Sequence, residues 1–276
     1  VNNPDKANRP LHRKVALVTG AAGAIGYGVC KVLLANGCRV AASDLPGEKL
    51  DGFVRDLEGN ALGRVMGVSL DVTNRESVRE GFRSVAQAWG AVNAVVHNAG
   101  IALVSKLVDM DLEAFRRLER VNIEGTLLVL AEGGRFLIEQ GRGGDIVIMS
   151  TKNVPSPSAG FGAYSATKAA CHQLGRIASL EFAAHDIRVN MVAPDAVFSE
   201  GAYKSGLWEE VGADRMKARG MNEEELHAYY RNRNLLKAAV TGEDVANAVL
   251  FFLMRQTPTT GATLPVDGGL PAATPR

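Results

Sequence analysis

The sequence predicts a doubly wound α/β domain, a parallel sheet with helices on both faces that takes up nearly the whole chain. Apolar runs of strand length recur at about 14–19, 38–43, 64–70, 92–97, 144–150, 187–192 and 262–266. The runs are near-continuous rather than alternating polar and apolar, as in strands buried on both faces. Helix-length segments separate most of them, and strands alternating with helices give right-handed crossovers and a parallel sheet.

Composition sets the bounds. Of 276 residues, 46% are hydrophobic and 22% charged, with a net charge of +1. A sizeable core is therefore expected, and nucleic acid or an anionic membrane is not expected as the main partner. Cys30, Cys38 and Cys171 are scattered, without a CxxC pair, which fits thiols in a reducing, cytoplasmic setting. The five histidines show no ligand spacing, so no metal is expected. No apolar run reaches membrane-spanning length, and the polar, charged start does not read as a signal peptide.

Residues 1–13 carry Pro4, Pro10 and three asparagines, and read as a linker or disordered arm before a domain spanning 14–276. The first strand runs into Thr19-Gly20-Ala21-Ala22-Gly23-Ala24-Ile25-Gly26 and a helical pattern through Leu34. A glycine-rich turn there is either a plain tight turn or a pyrophosphate cradle backed by a helix N-terminus. The second strand ends at Asp44, 18 residues after Gly26. It either caps the turn before Pro46 or meets the ribose hydroxyls of a dinucleotide, where its charge would repel a 2′-phosphate and favour NAD over NADP. Asp71, at the end of the third strand, meets an adenine edge or caps the next helix.

The fourth strand delivers His97-Asn98-Ala99-Gly100, a small-residue turn beside the first strand at the topological switch point. Asn122 then falls inside a long helical pattern, where asparagine is a poor helix former. It is either solvent-exposed or orders a water in a site. The fifth strand ends in Ser150-Thr151, thirteen residues before Tyr164. In Tyr164-Ser165-Ala166-Thr167-Lys168, a phenol and an ammonium lie one helical turn apart on one face. Free tyrosine titrates near 10, and a neighbouring cation stabilises its phenolate. Such a pair can pass a proton between an alcohol and a carbonyl oxygen.

Taken together, these landmarks resemble the short-chain dehydrogenase/reductase family over about residues 14–270. The resemblance implies a Rossmann-type sheet in the order 3-2-1-4-5-6-7, NAD as cofactor, and subunits that form a homodimer or homotetramer. It places the catalytic residues at Asn122, Thr151, Tyr164 and Lys168. It also implies a cofactor site made by Gly20, Gly23, Ala24, Ile25, Gly26 and Asp44, then Asp71, Val72, Asn98, Ala99 and Gly100, and finally Tyr164, Lys168, Pro194 and Val197. Ser199 sits where a threonine often binds the carboxamide. The chain departs from the family pattern at four points: Ala24 stands for the middle glycine, His97 for asparagine, Thr151 for serine, and Asp195 for the glycine after Pro194. Ser150 is the fallback hydroxyl.

Ser150-Thr151-Lys152-Asn153, Pro194–Phe198, Tyr229–Lys237 and the tail Pro271–Arg276 further resemble the dehydrogenase half of bifunctional rhamnulose-1-phosphate aldolase/alcohol dehydrogenase proteins. That likeness implies lactaldehyde, a polyol or another sugar-type substrate, and an N-terminal aldolase domain or a separate aldolase partner. In the implied mechanism Tyr164 is the acid/base, Lys168 its cation, Thr151 the substrate-oxygen donor and Asn122 the holder of a relay water. Residues 199–240 would cover the substrate; their seven basic and seven acidic residues favour solvated helix faces over a phosphate site. The alternative is an NAD-binding regulatory or structural protein without turnover.

Overall fold

The structure, a computed structural model, describes residues 10–59, 61–198, 203 and 206–273. The expectations for residues 1–9, for Ser199 and for the last three residues fall outside these. Among the described residues, β1 (Val15–Thr19), β2 (Arg39–Asp44), β3 (Val65–Ser69), β4 (Ala94–His97), β5 (Gly144–Met149), β6 (Ile187–Pro194) and β7 (Thr263–Val266) form one sheet. Its order is 3-2-1-4-5-6-7, with every pairing parallel. The helices are α1 (Ala24–Ala35), α2 (Glu48–Glu58), α3 (Arg75–Trp89), α4 (Leu112–Glu119), α5 (Gly125–Gln140), α6 (Gly162–Glu181), α7 (Gly206–Arg219), α8 (Glu223–Asn232) and α9 (Gly242–Leu253).

Both faces of the sheet are dry. Ala16, Val18, Val40, Val96 and Val147 point to one side, where Val29 and Leu33 of α1 and Val245 and Val249 of α9 cover them. The alternate residues Val15, Leu17, Ala41, Val95 and Ile146 meet Phe82 of α3, Val129 and Leu137 of α5 and Ala178 of α6. Each buried aliphatic or aromatic side chain contributes about 1.5–3 kcal/mol, so successive strand residues reward two helix layers in turn. This is why the strands read as unbroken apolar runs.

β1 pairs with both β2 and β4, so the chain leaves the sheet in opposite directions from neighbouring strand ends and opens a crevice there. The expected arm is docked from Leu11 onward: Leu11 is 3% exposed and its N–H donates to the Asn36 carbonyl at 3.1 Å. Beyond β6, α7 and α8 share a small core of Ala196, Leu226 and Tyr230. Tyr203 pins this segment to the body, stacked on Tyr27 at 4.3 Å with its hydroxyl on Asp56. No helix among the described residues is long and apolar enough to cross a membrane.

Candidate active site

The crevice floor is built by the turn after β1. Gly20 has φ +61°, and a Cβ there would lie 2.7 Å from the Ala99 Cα. A Cβ on Gly26 would lie 2.4 Å from the Ala21 carbonyl oxygen. Only glycine lets the turn close this tightly on the next strand end and on itself. Gly23 caps α1 in an extended conformation without a side-chain hydrogen bond, so the positive end of the helix keeps backbone donors for an anion. Ala24 is buried and Ile25 packs against the core, so the middle-glycine substitution is absorbed by packing.

Asp44 faces this turn. Its Oδ2 accepts the Ala22 N–H at 3.0 Å and its Oδ1 the Leu45 N–H at 2.9 Å. A carboxylate whose two oxygens keep further lone pairs beside this turn suits the hydroxyls of a ribose, while the backbone donors of the turn and of the α1 start suit a diphosphate. Asp71 does not cap α3, whose N-cap is Asn74 accepting the Ser77 N–H at 3.0 Å; Asp71 Oδ1 instead accepts the Thr73 N–H and hydroxyl, both at 2.8 Å, and closes the turn before the helix. The Val72 side chain is buried against Gly125. Val197 is buried in the core, while Pro194 ends β6 and accepts the Lys152 N–H at 3.0 Å.

A buried chain of hydrogen bonds links the crevice to the next element. Thr19 Oγ1 accepts N–H groups from Asn98 and Ala99, both at 3.1 Å, so its own proton goes to His97 Nδ1 at 3.0 Å. That assigns the proton to His97 Nε2, which donates to Thr126 Oγ1 at 3.0 Å. Thr126 in turn donates to the Asn122 carbonyl at 2.6 Å. Burial and then the Lys168 charge hold His97 down at about 3, so the ring is neutral. The Asn98 side chain ties the two strand ends together by donating to the Gly20 carbonyl at 2.7 Å.

Asn122 sits in a π-helical turn, Arg120–Glu124, rather than in regular helix. Its Nδ2 donates to the Ile101 carbonyl and to Thr167 Oγ1, and its Oδ1 accepts the Ile101 N–H, each at 3.0 Å. The side chain forms a clamp, since protein groups take both amide hydrogens. Gly100 brings the parts together: a Cβ there would lie 3.1 Å from Asn122 Oδ1 and 3.2 Å from Lys168 Nζ. Lys168, 7% exposed, donates to the Met149 carbonyl at 3.0 Å, at the end of β5 that carries Thr151. Tyr164 lies one turn earlier on α6, its ring edge-on to Phe161 at 6.1 Å. The Ser150 hydroxyl meets His172 Nδ1 at 2.9 Å, while Thr151 Oγ1 accepts the Asn153 N–H at 3.2 Å.

Around the mouth, sequence reasoning singled out Asp195 but gave no role to Lys152 and left Arg215 and Arg233 on solvated helix faces. Lys152, directly after Thr151, is 6% exposed, and its ammonium donates to Ser158 Oγ at 2.9 Å and the Ser156 carbonyl at 3.2 Å. Both carboxylate oxygens of Asp195 accept from the Nε and Nη2 edge of the Arg233 guanidinium. Arg215 is buried between the rings of Phe161 and Tyr230, at 4.8 and 4.5 Å. The expectation of solvated helix faces therefore fails for Arg215 and Arg233. The available signal was position: Lys152 and Asp195 each follow a strand end that delivers a site residue.

A family model for short chain dehydrogenases matches residues 14–210. The uncharacterized oxidoreductase YuxG of Bacillus subtilis (strain 168) is 37% identical over 265 residues; the match covers 95% of this chain, which spans 38% of YuxG's length. Human L-xylulose reductase is 34% identical over 92% of this chain and 94% of its own. The crystal structure of sorbitol-6-phosphate 2-dehydrogenase SrlD from Erwinia amylovora superposes with a TM-score of 0.84, at 26% identity, covering 92% of this chain and 98% of that one.

Proposed function

The chain belongs to the short-chain dehydrogenase family, whose enzymes use a nicotinamide cofactor, and from that membership we propose an NAD(H)-dependent oxidoreductase that interconverts an alcohol and a carbonyl on a small polyol or sugar-type substrate. The observation that carries the reading is the meeting of Asn122, Lys168 and the Asn98-Ala99-Gly100 turn around Gly100, with Tyr164 one turn from Lys168. Gly20, Gly23, Gly26 and the uncapped start of α1 would hold the diphosphate, and Asp44 the adenosine ribose. The bound nicotinamide would supply or accept the hydride.

Tyr164 takes the proton of the substrate hydroxyl in oxidation and returns one to the carbonyl oxygen in reduction. Lys168 places positive charge beside the phenol as that proton leaves. Thr151 donates a hydrogen bond to the substrate oxygen, most strongly where negative charge develops on it. Asn122 acts by holding the Ile101 and Thr167 segments in place. A polar substrate is supported by Asn153 Oδ1, buried and without a hydrogen-bond partner among the described residues. The names of L-xylulose reductase and of the sorbitol-phosphate enzyme point the same way.

Lactaldehyde as substrate, and an aldolase domain or partner, rest on the short sequence stretches alone. Exposed Leu112, Leu127, Ile177 and Leu180 on α4, α5 and α6 support a homodimer or homotetramer, which a monomer in sedimentation would refute. The buried free thiols support a reducing, cytoplasmic setting.

The cofactor choice is tested by initial rates on short ketoses and polyols with NAD(H) and NADP(H) in parallel. Asp44 predicts kcat/KM at least about tenfold higher with NAD(H), a difference of about 1.4 kcal/mol. A preference for NADP(H) would reverse the assignment.

A further inference from the structure

Four cations and one carboxylate gather beyond Thr151 and Tyr164. Lys152 and Asp195 sit on adjoining strand ends, joined by the Lys152 N–H to Pro194 carbonyl bond at 3.0 Å. Arg233 neutralises Asp195. Arg215 lies on Phe161, the ring that also touches Tyr164, and on Tyr230. Arg219 lies over Tyr229 at 4.3 Å, and Arg233 over Tyr230 at the same distance.

Lys152 is the exceptional member. Both of its hydrogen-bond acceptors are neutral. Burial first, and then the charges of Arg233, Arg215 and Arg219, pull its ammonium down to about 8, against the opposing pull of Asp195. A buried ammonium repelled by three guanidinium groups is stabilised by a further anion. The next residue supplies an independent mark of a ligand: Asn153 is 7% exposed, and its Oδ1 is buried without a partner among the described residues.

We propose that Lys152, with Arg215 and Arg233 around it and Asn153 beside it, binds the anionic end of the substrate, a phosphate or carboxylate at the far end of a short hydroxylated chain whose other end reacts at Tyr164. This names the substrate class of the site and rests on the oxidoreductase reading above. Lys152 meets the anion as a point charge, and Asn153 accepts a chain hydroxyl. The guanidinium groups, held by aromatic faces and by Asp195, keep the local potential positive.

The test is calorimetric titration of the NADH-loaded enzyme with ribitol, ribitol 5-phosphate, ribonate and inorganic phosphate, alongside turnover of the corresponding ketoses. Ribitol 5-phosphate or ribonate should bind at least about tenfold more tightly than ribitol, and the tighter of the two identifies the anion. Lys152→Gln should bring that ratio close to one, and Lys152→Arg should restore most of it. NADH stoichiometry reports whether each variant folds, and the wild-type ratio stands without them. Equal binding of ribitol and both anions, or a ratio unchanged in Lys152→Gln, overturns the subsite. Tight anion binding without turnover of any carbonyl would instead remove the oxidoreductase reading and leave the subsite standing. Turnover of neutral ketoses with no anion preference would do the reverse.

Discussion

His97 shows how much one residue type can carry. In the sequence it is a departure from the family's usual asparagine; in the structure it spans the gap between Thr19 and Thr126 with both ring nitrogens. An asparagine is shorter and cannot bridge the same distance in the same way. The neutral ring has a consequence for acid stability. In the unfolded chain His97 titrates near 6.5, while in the fold burial and Lys168 hold it at about 3. Below pH 6.5 the unfolded chain gains a proton that the folded chain refuses. Stability is therefore complete above about 6.5 and falls toward pH 3, with a limiting slope of about 1.4 kcal/mol per pH unit. Thermal melts of His97→Asn should start lower at pH 8 and lose less between pH 6.5 and 4 than the wild type. Parallel pH curves would show that His97 is charged in the fold. Thr151 was legible as a residue, but the His172 partner of the neighbouring Ser150 hydroxyl was not, because it lies 22 residues away on another element.

At the scale of elements, the π turn of Arg120–Glu124 is where sequence and structure part. Asn122 stood out as a poor helix former, and it is buried rather than exposed. Its side chain pairs both backbone groups of Ile101, which follows the Asn98-Ala99-Gly100 turn. The wider turn also presents the Asn122 carbonyl to Thr126 and to the Cys171 thiol. No local periodicity reveals this, since Ile101 and Cys171 lie 21 and 49 residues away. Asn122→Leu should leave the Ile101 N–H and C=O unpaired and cost about 1–3 kcal/mol of stability. Denaturant melts together with amide exchange at Ile101 would read this. A variant with wild-type stability and protection would mean that Asn122 acts on water alone.

Across the whole molecule, the sheet was the most legible part. Each strand falls within two residues of its apolar run, because burial on both faces demands unbroken apolar sequence. The tight turn after β1 was legible for a similar reason, as glycines were needed where the backbone closes on itself. The charge cluster was not. Counting seven basic against seven acidic residues hid the fact that Arg215 turns inward between Phe161 and Tyr230, and Arg233 toward Asp195, a partner 38 residues upstream. The central claim is that this fold brings Tyr164 to a substrate oxygen beside a bound nicotinamide. The most direct test compares wild type and Tyr164→Phe in NADH-linked reduction of a short ketose, with NADH affinity measured on both. The account predicts turnover reduced by about 10²–10⁴-fold and NADH affinity within about twofold, since the lost hydroxyl moves a proton rather than holding the adenosine half. Wild-type turnover in Tyr164→Phe would contradict it.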